Sequence, residues 1–424
     1  MKSPALALVA ALLSAISVAA QDAVAIKAGK LITISGPPIE NAVILIENGK
    51  IKAIGKELKP AWNARVIDAS DRTVMPTYVL AHTSGGLSSG DTENMPNVPY
   101  LTVQDAVDPA STFFEEALRN GIGTIHVVPG NRTLIAGQGM VVRPYGKTVE
   151  DMAVQTRSAL KMSLQGQGGS RIAQLKKLRR ALEDVREYMK EYERKKAEFA
   201  QEKAAGASGD KKEFSEEIEF QKKPIVDLLN KKLGAFLYVP SAAELPEALR
   251  IPAEFQFKAT LVLGAQCHKA VPVVAATKQT VVLDDDLEFY EQEPDSEVET
   301  LVCPPALMHK AGVVFALSID TNVDSPRRYP WWQMATAIRH GVDRESALKA
   351  LTLVPAQILG LADQFGSVEE GKVANLQILS GDPLKATTWV ETVLLEGQVV
   401  YERSKDRRLQ YVTGKQDPKA AESK

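Results

Sequence analysis

His82 ends an apolar run, Tyr78–Ala81, and the chain turns at once through Thr83-Ser84-Gly85-Gly86. A strand that stops in this way delivers one imidazole to its C-terminal end, where barrel enzymes keep their chemistry. Asp320 follows a second apolar run, Val313–Ser318, with Thr321-Asn322 behind it. A hydrolytic metal centre needs several such ligands to converge and one coordination position to stay open, so that bound water loses its proton near neutral pH. Each residue also has a plain structural role: a histidine hydrogen-bonded at a strand end, and a carboxylate capping loop backbone.

The elements that must position these groups are legible as β-like runs between turns. Residues 23–67 carry short β-prone runs, with Asn48-Gly49 between two of them. That dipeptide signals a type I′ hairpin, whose central residues both need positive φ. The same character returns after Gly366, with Glu396-Gly397 between Val390–Leu395 and Gln398–Tyr401. Two β-rich ends around a mixed middle predict one small sheet domain built from both ends of the chain. Within the middle, Gly121–Val128, Gly234–Val239, Thr260–Gly264, Val271–Ala275 and Val313–Ser318 read as buried parallel strands. Strand–helix alternation at this length points to a (β/α) barrel. Between 170 and 223 the sequence is charged with helical spacing, interrupted by Ala204–Asp210, and reads as a solvated helix–loop–helix.

Val66–Gly86 as a whole resembles the opening barrel strand of the amidohydrolase superfamily, in which Met-Pro-Gly precedes the strand and a His-x-His pair ends it. Here Thr77 stands for the glycine and Ser84 for the second histidine. The family's closing motif, Gly-Ser-(Ile/Val)-x-x-Gly-Lys-x-Ala-Asp-Leu, is matched by Gly366–Leu376 with Asn375 in place of aspartate. Ala159-Leu160-Lys161-Met162-Ser163-Leu164 and Gly137-Gln138-Gly139 resemble the imidazolonepropionase-like secreted subgroup. The resemblance implies an α/β fold: a TIM-like (β/α) barrel over 75–365, and a small β-sandwich composed of 21–74 and 366–412. A charged helical insertion at 170–223 and a disordered tail at 413–424 complete the expected organisation.

The same resemblance implies a site. His82 and Asp320 are its metal ligands, with Asp320 also the catalytic acceptor of the water proton. Ser84, Lys161, Tyr238, His268 and Asn322 surround the expected pocket. Tyr238 stands where the subgroup carries a His-x-His-like segment, and Ala265 where the next strand should end in histidine. His268, three residues on, is the substitute if it bends inward. Two retained ligands fall short of the three typical of catalytic zinc. No tightly bound metal is therefore expected, with zinc or another divalent ion required if the protein is active. The implied reaction is hydrolysis of a non-peptide carbon–nitrogen bond in a cyclic amide or dipeptide-like compound. The alternative is a pseudoenzyme that binds a small molecule or joins an active relative as a subunit.

Composition bounds the rest. A chain of 424 residues with 45% hydrophobic content can bury one large core and a smaller one, and its net charge of −2 gives no footing for nucleic acid. Met1-Lys2 followed by the alanine-rich run Ala5–Ala20 reads as a signal peptide over 1–20, predicting export to the periplasm or the exterior. That run is shorter than the roughly 20 apolar residues that span a bilayer, so no membrane partner is expected. A homo-oligomer or a complex with an active relative is the expected assembly. Cys267 and Cys303 read as two buried free thiols.

Overall fold

The computed structural model describes residues 23–88, 95, 97–165, 171–205, 213–292, 296–321 and 324–412. The expected leader at 1–20, the loop at 206–210, Asn322 and the tail at 413–424 lie outside the described residues. One sheet takes strands from both ends of the chain. Ala23–Leu31, Ile39–Glu47, Lys50–Gly55 and Arg65–Pro76 are joined by Leu376–Leu379, Val390–Leu395 and Gln398–Glu402. The junction is the antiparallel pairing of Leu376–Leu379 with Arg65–Pro76, in which Leu376 faces Pro76. Both hairpin dipeptides have the anticipated backbone: φ is 51° and 75° at Asn48-Gly49, and 52° and 74° at Glu396-Gly397. The pattern predicts one small sheet domain and the resemblance implies a small β-sandwich; the hydrogen-bonded ladder is one continuous seven-stranded sheet. Its buried face, including Ile26, Leu31, Ile44, Ile51, Leu376 and Leu394, forms a core of its own.

The remaining body is mixed α/β. Its parallel strands lie in two arcs: Tyr78–Thr83 with Ile122–Val127, and Ala159–Ser163, Gly234–Ser241, Ala259–Gln266, Val281–Leu283 and Phe315–Leu317 in spatial order. The arcs are not joined by a continuous ladder among the described residues. They share a core nonetheless, since Ala81 of the first arc packs with Ala159, Phe236, Tyr238, Val262, Val282 and Ala316 of the second. On one side Ala350 and Leu351 bridge them, accepting hydrogen bonds from Leu317 N–H and Val79 N–H, both at 2.9 Å.

Two elements correct the sequence reading. Val271–Ala275, expected as a strand, lies in the helix Val271–Thr277, whose first turn holds Pro272. Proline is at home there because it has no N–H to leave unpaired and its φ suits a helix. The parallel strand between Ala259–Gln266 and Phe315–Leu317 is instead Val281–Leu283, only three residues long. The charged stretch forms a single 34-residue helix, Arg171–Ala204, followed after a break by Lys223–Leu229. Leu178, Leu182 and Val185 anchor the long helix, and pairs such as Arg194 with Glu191 and Glu198 lace its solvated face.

Candidate functional site

Lys161 sits at the centre of Ala159–Ser163 and has 0% exposure. Alternation along that strand turns it, with Ala159 and Ser163, to one face. Its ammonium lies 2.7 Å from His82 Nε2 and 2.6 Å from Asn131 Oδ1, and 5.4 Å from the centroid of the Tyr238 ring. An ammonium only donates, so Nε2 of His82 accepts and the ring is the neutral tautomer protonated at Nδ1. Burial holds the His82 pKa well below its ordinary value, and the Lys161 charge and then His126 push in the same direction. Phe236 stacks on His82 at 6.5 Å between ring centroids and meets His126 edge-on at 4.6 Å.

A second polar group gathers at the ends of Val281–Leu283 and Phe315–Leu317. Arg327 is its hub, with its guanidinium 3.0 Å from Asp286, 3.4 Å from Asp320 and 3.9 Å from Asp285. The Asp320 amide also donates to the Arg327 carbonyl at 3.2 Å. Burial and the neighbouring Asp284 raise the Asp285 carboxyl to about 7, against the attraction of Arg327 and with a further push from Asp320. The Tyr238 hydroxyl donates to Asp284, and burial together with that carboxylate pushes the phenol far above its usual range, so it stays protonated. Gln333 Nε2 ties the two strand ends by donating to the carbonyls of Asp285 and Ser318, both at 3.0 Å.

The structure thus brings His82, Lys161 and Tyr238 together and places Asp320 in the carboxylate–arginine group. Ser84 is exposed. His268 is pinned by the Ala265 carbonyl at 2.9 Å and the Glu291 carboxylate at 3.0 Å, so its imidazole is held by partners of its own. Asn131, Asp284–Asp286 and Arg327 were not singled out by sequence. The run Val281-Val282-Leu283-Asp284-Asp285-Asp286 carried a signal, an apolar triplet ending in three carboxylates.

The donor set bears directly on a metal. Among the described residues no three His, Cys, Asp or Glu side chains are grouped to hold an ion. The Nε2 lone pair of His82 is engaged by an ammonium, which would repel a divalent cation at that position. Asp320 is partly neutralised by Arg327. The residues present do not fit a divalent metal in this arrangement.

Against known proteins, an amidohydrolase family model matches residues 262–401. Over 412 residues the chain is 22% identical to the imidazolonepropionase of Clostridium tetani (strain Massachusetts / E88), covering 86% of this chain and 92% of that protein. An amidohydrolase from Thermotoga maritima MSB8 superposes with a TM-score of 0.78 and 28% identity, over 90% of this chain and 100% of its own. An adenosine deaminase from Xanthomonas campestris with bound zinc gives a TM-score of 0.51 at 14% identity, over 92% and 97% of the two chains, a likeness of fold alone. These structural neighbours imply a TIM-like barrel with an additional domain. The family model reaches over the closing motif at Gly366–Leu376, and taken with the relative and the superposition it places the chain in the amidohydrolase superfamily.

Proposed function

We propose that this protein is an exported superfamily member, silent as a metal-dependent carbon–nitrogen hydrolase at its strand-end site, that serves as a subunit beside an active relative. The two arcs are read as an interrupted (β/α) barrel whose strand ends are locked by side chains. The observation that carries the proposal is the 2.7 Å contact between Lys161 Nζ and His82 Nε2. Superfamily members typically use a divalent metal. In this chain a lysine supplies positive charge to the strand-end histidine, and Arg327 supplies it to Asp320.

The experiment is a screen of cyclic amides and dipeptides with the pure protein, with and without added zinc, alongside co-purification with an intact-motif relative. Stable association without turnover is expected. A second reading, carbon–nitrogen bond hydrolysis, is favoured by the Asp285 carboxyl, whose pKa near 7 suits a general base. Turnover that is abolished by both Asp285→Asn and Asp320→Asn would establish that reading instead.

A further inference from the structure

A cavity of about 960 Å³ opens at the other ends of the same strands, where Ala159, Gly234 and Ala259 begin. Ser158, the residue before the first of these strands, forms part of its wall. The Ser158 hydroxyl lies 2.7 Å from His126 Nε2, and His126 Nδ1 lies 2.7 Å from the carbonyl oxygen of Ala81. A carbonyl oxygen can only accept, so Nδ1 carries the proton and Nε2 turns its lone pair to the serine, whose O–H donates. Nucleophile, base and orienting acceptor therefore stand in the sequence that an activated serine requires. Phe236 fixes the imidazole edge-on, and Gly139 makes the approach possible. A Cβ there would sit 2.7 Å from His126 Nε2 and 3.0 Å from Ser158 Oγ.

The cavity wall also selects its occupant. It is mostly small and apolar, and no carboxylate lies on it. Lys231 and Lys258 are exposed at its rim and form no ion pair among the described residues. Two uncompensated ammonium groups at the mouth of an apolar cavity favour an anionic guest. Burial lowers the His126 pKa to about 4, which keeps the lone pair free but makes a weak base. A weak base suffices for a good leaving group and not for an amide.

We propose that Ser158, activated by His126, is a nucleophile acylated by anionic esters that enter this cavity. Ser158 Oγ bonds to the ester carbonyl carbon while its proton passes to His126 Nε2. The carbon–oxygen bond to the leaving alcohol then breaks, and the alcohol departs with that proton. Water attacks the acyl-serine, His126 takes a proton from it, and return of that proton to Ser158 Oγ releases the acid. No metal enters either half of the cycle.

A fluorophosphonate is the direct probe. Incubation with the full chain should modify Ser158 alone, as mapped by peptide mass spectrometry, and Ser158→Ala should remain unmodified. Release of nitrophenolate from 4-nitrophenyl hydrogen glutarate should exceed that from neutral 4-nitrophenyl butyrate by about tenfold. The surface variant Lys231→Gln/Lys258→Gln should lose that preference and keep its fluorophosphonate label. His126→Asn should lose labelling with its circular dichroism unchanged. If that variant does not fold, the lysine variant still decides the matter from exposed positions. An unlabelled Ser158, ester cleavage that survives Ser158→Ala, or equal rates on the two esters in the native protein overturns the proposal.

Discussion

Lys161 Nζ and His82 Nε2, on strands from different arcs of the body, lie 2.7 Å apart with both residues buried. The pair joins the arcs through a cation and a neutral ring. It also sets the His82 titration, because the lysine charge is the largest influence after burial. Lys161→Met should raise the His82 pKa while leaving it below the ordinary value, since burial persists. Imidazole resonances followed by NMR across pH test this, and an unchanged titration would contradict the assigned contact. The cost in stability should stay below about 2 kcal/mol, because an apolar side chain of similar length replaces a buried charge.

Acid should unfold the protein from the histidine side. His126 is neutral in the folded state with a pKa of about 4, against 6.5 as the ordinary value. Protons taken up only by the unfolded chain lower stability as pH falls from 6.5 towards 4, by up to about 1.4 kcal/mol per pH unit for each such group. Urea denaturation at pH 7, 6 and 5 should show this slope. A His126→Asn variant that folds should show a shallower one, and an identical slope would count against the buried neutral ring.

Asp285 works in the opposite direction. Its folded pKa of about 7 lies above the ordinary 3.8, so the folded state keeps a proton that the unfolded state has lost. Stability contributed by that proton is fully present below pH 3.8 and is lost as pH rises to about 7. Asp285→Asn should therefore stabilise the protein at pH 8 relative to its effect at pH 4, by on the order of 1 kcal/mol. Equal effects at the two pH values would show that the carboxyl titrates normally.

The hold of the composite sheet on the body can be tested at Gly121. Its φ is +73°, and a Cβ there would lie 1.9 Å from Gln377 Oε1, while Gln377 Nε2 donates to the Pro76 carbonyl at 3.0 Å. Gly121→Ala should cost about 2–4 kcal/mol through backbone strain and displacement of that glutamine. A melting temperature within a degree or so of the native value would mean that Gln377 does not pack there.

Local patterns made much of this fold readable. Asn48-Gly49 and Glu396-Gly397 announced their turns because only a few residues accept positive φ, and Tyr78–Ala81 announced its strand by an unbroken apolar run. Val281–Leu283 was passed over because three apolar residues establish no period, and with it went the carboxylates behind it. Val271–Ala275 was read by composition when Pro272 marked a helix start. The sequence marks His82 and Asp320 by their place at strand ends and Lys161 by the subgroup's segment, but not the pairing of Lys161 with His82 or of Arg327 with Asp320. Lys161 is 79 positions from His82, and only folding makes them neighbours.

The central claim is that a lysine, and not a metal, completes the environment of His82. Its most direct test is the zinc content of the full chain after equilibration with zinc and dialysis, measured by inductively coupled plasma mass spectrometry beside Lys161→Met and His82→Ala. The native protein should retain far less than one zinc per chain, and the two variants should not differ from it. A content of about one zinc per chain that falls in His82→Ala would contradict the account, because loss of a ligand lowers metal affinity only where that ligand binds the metal.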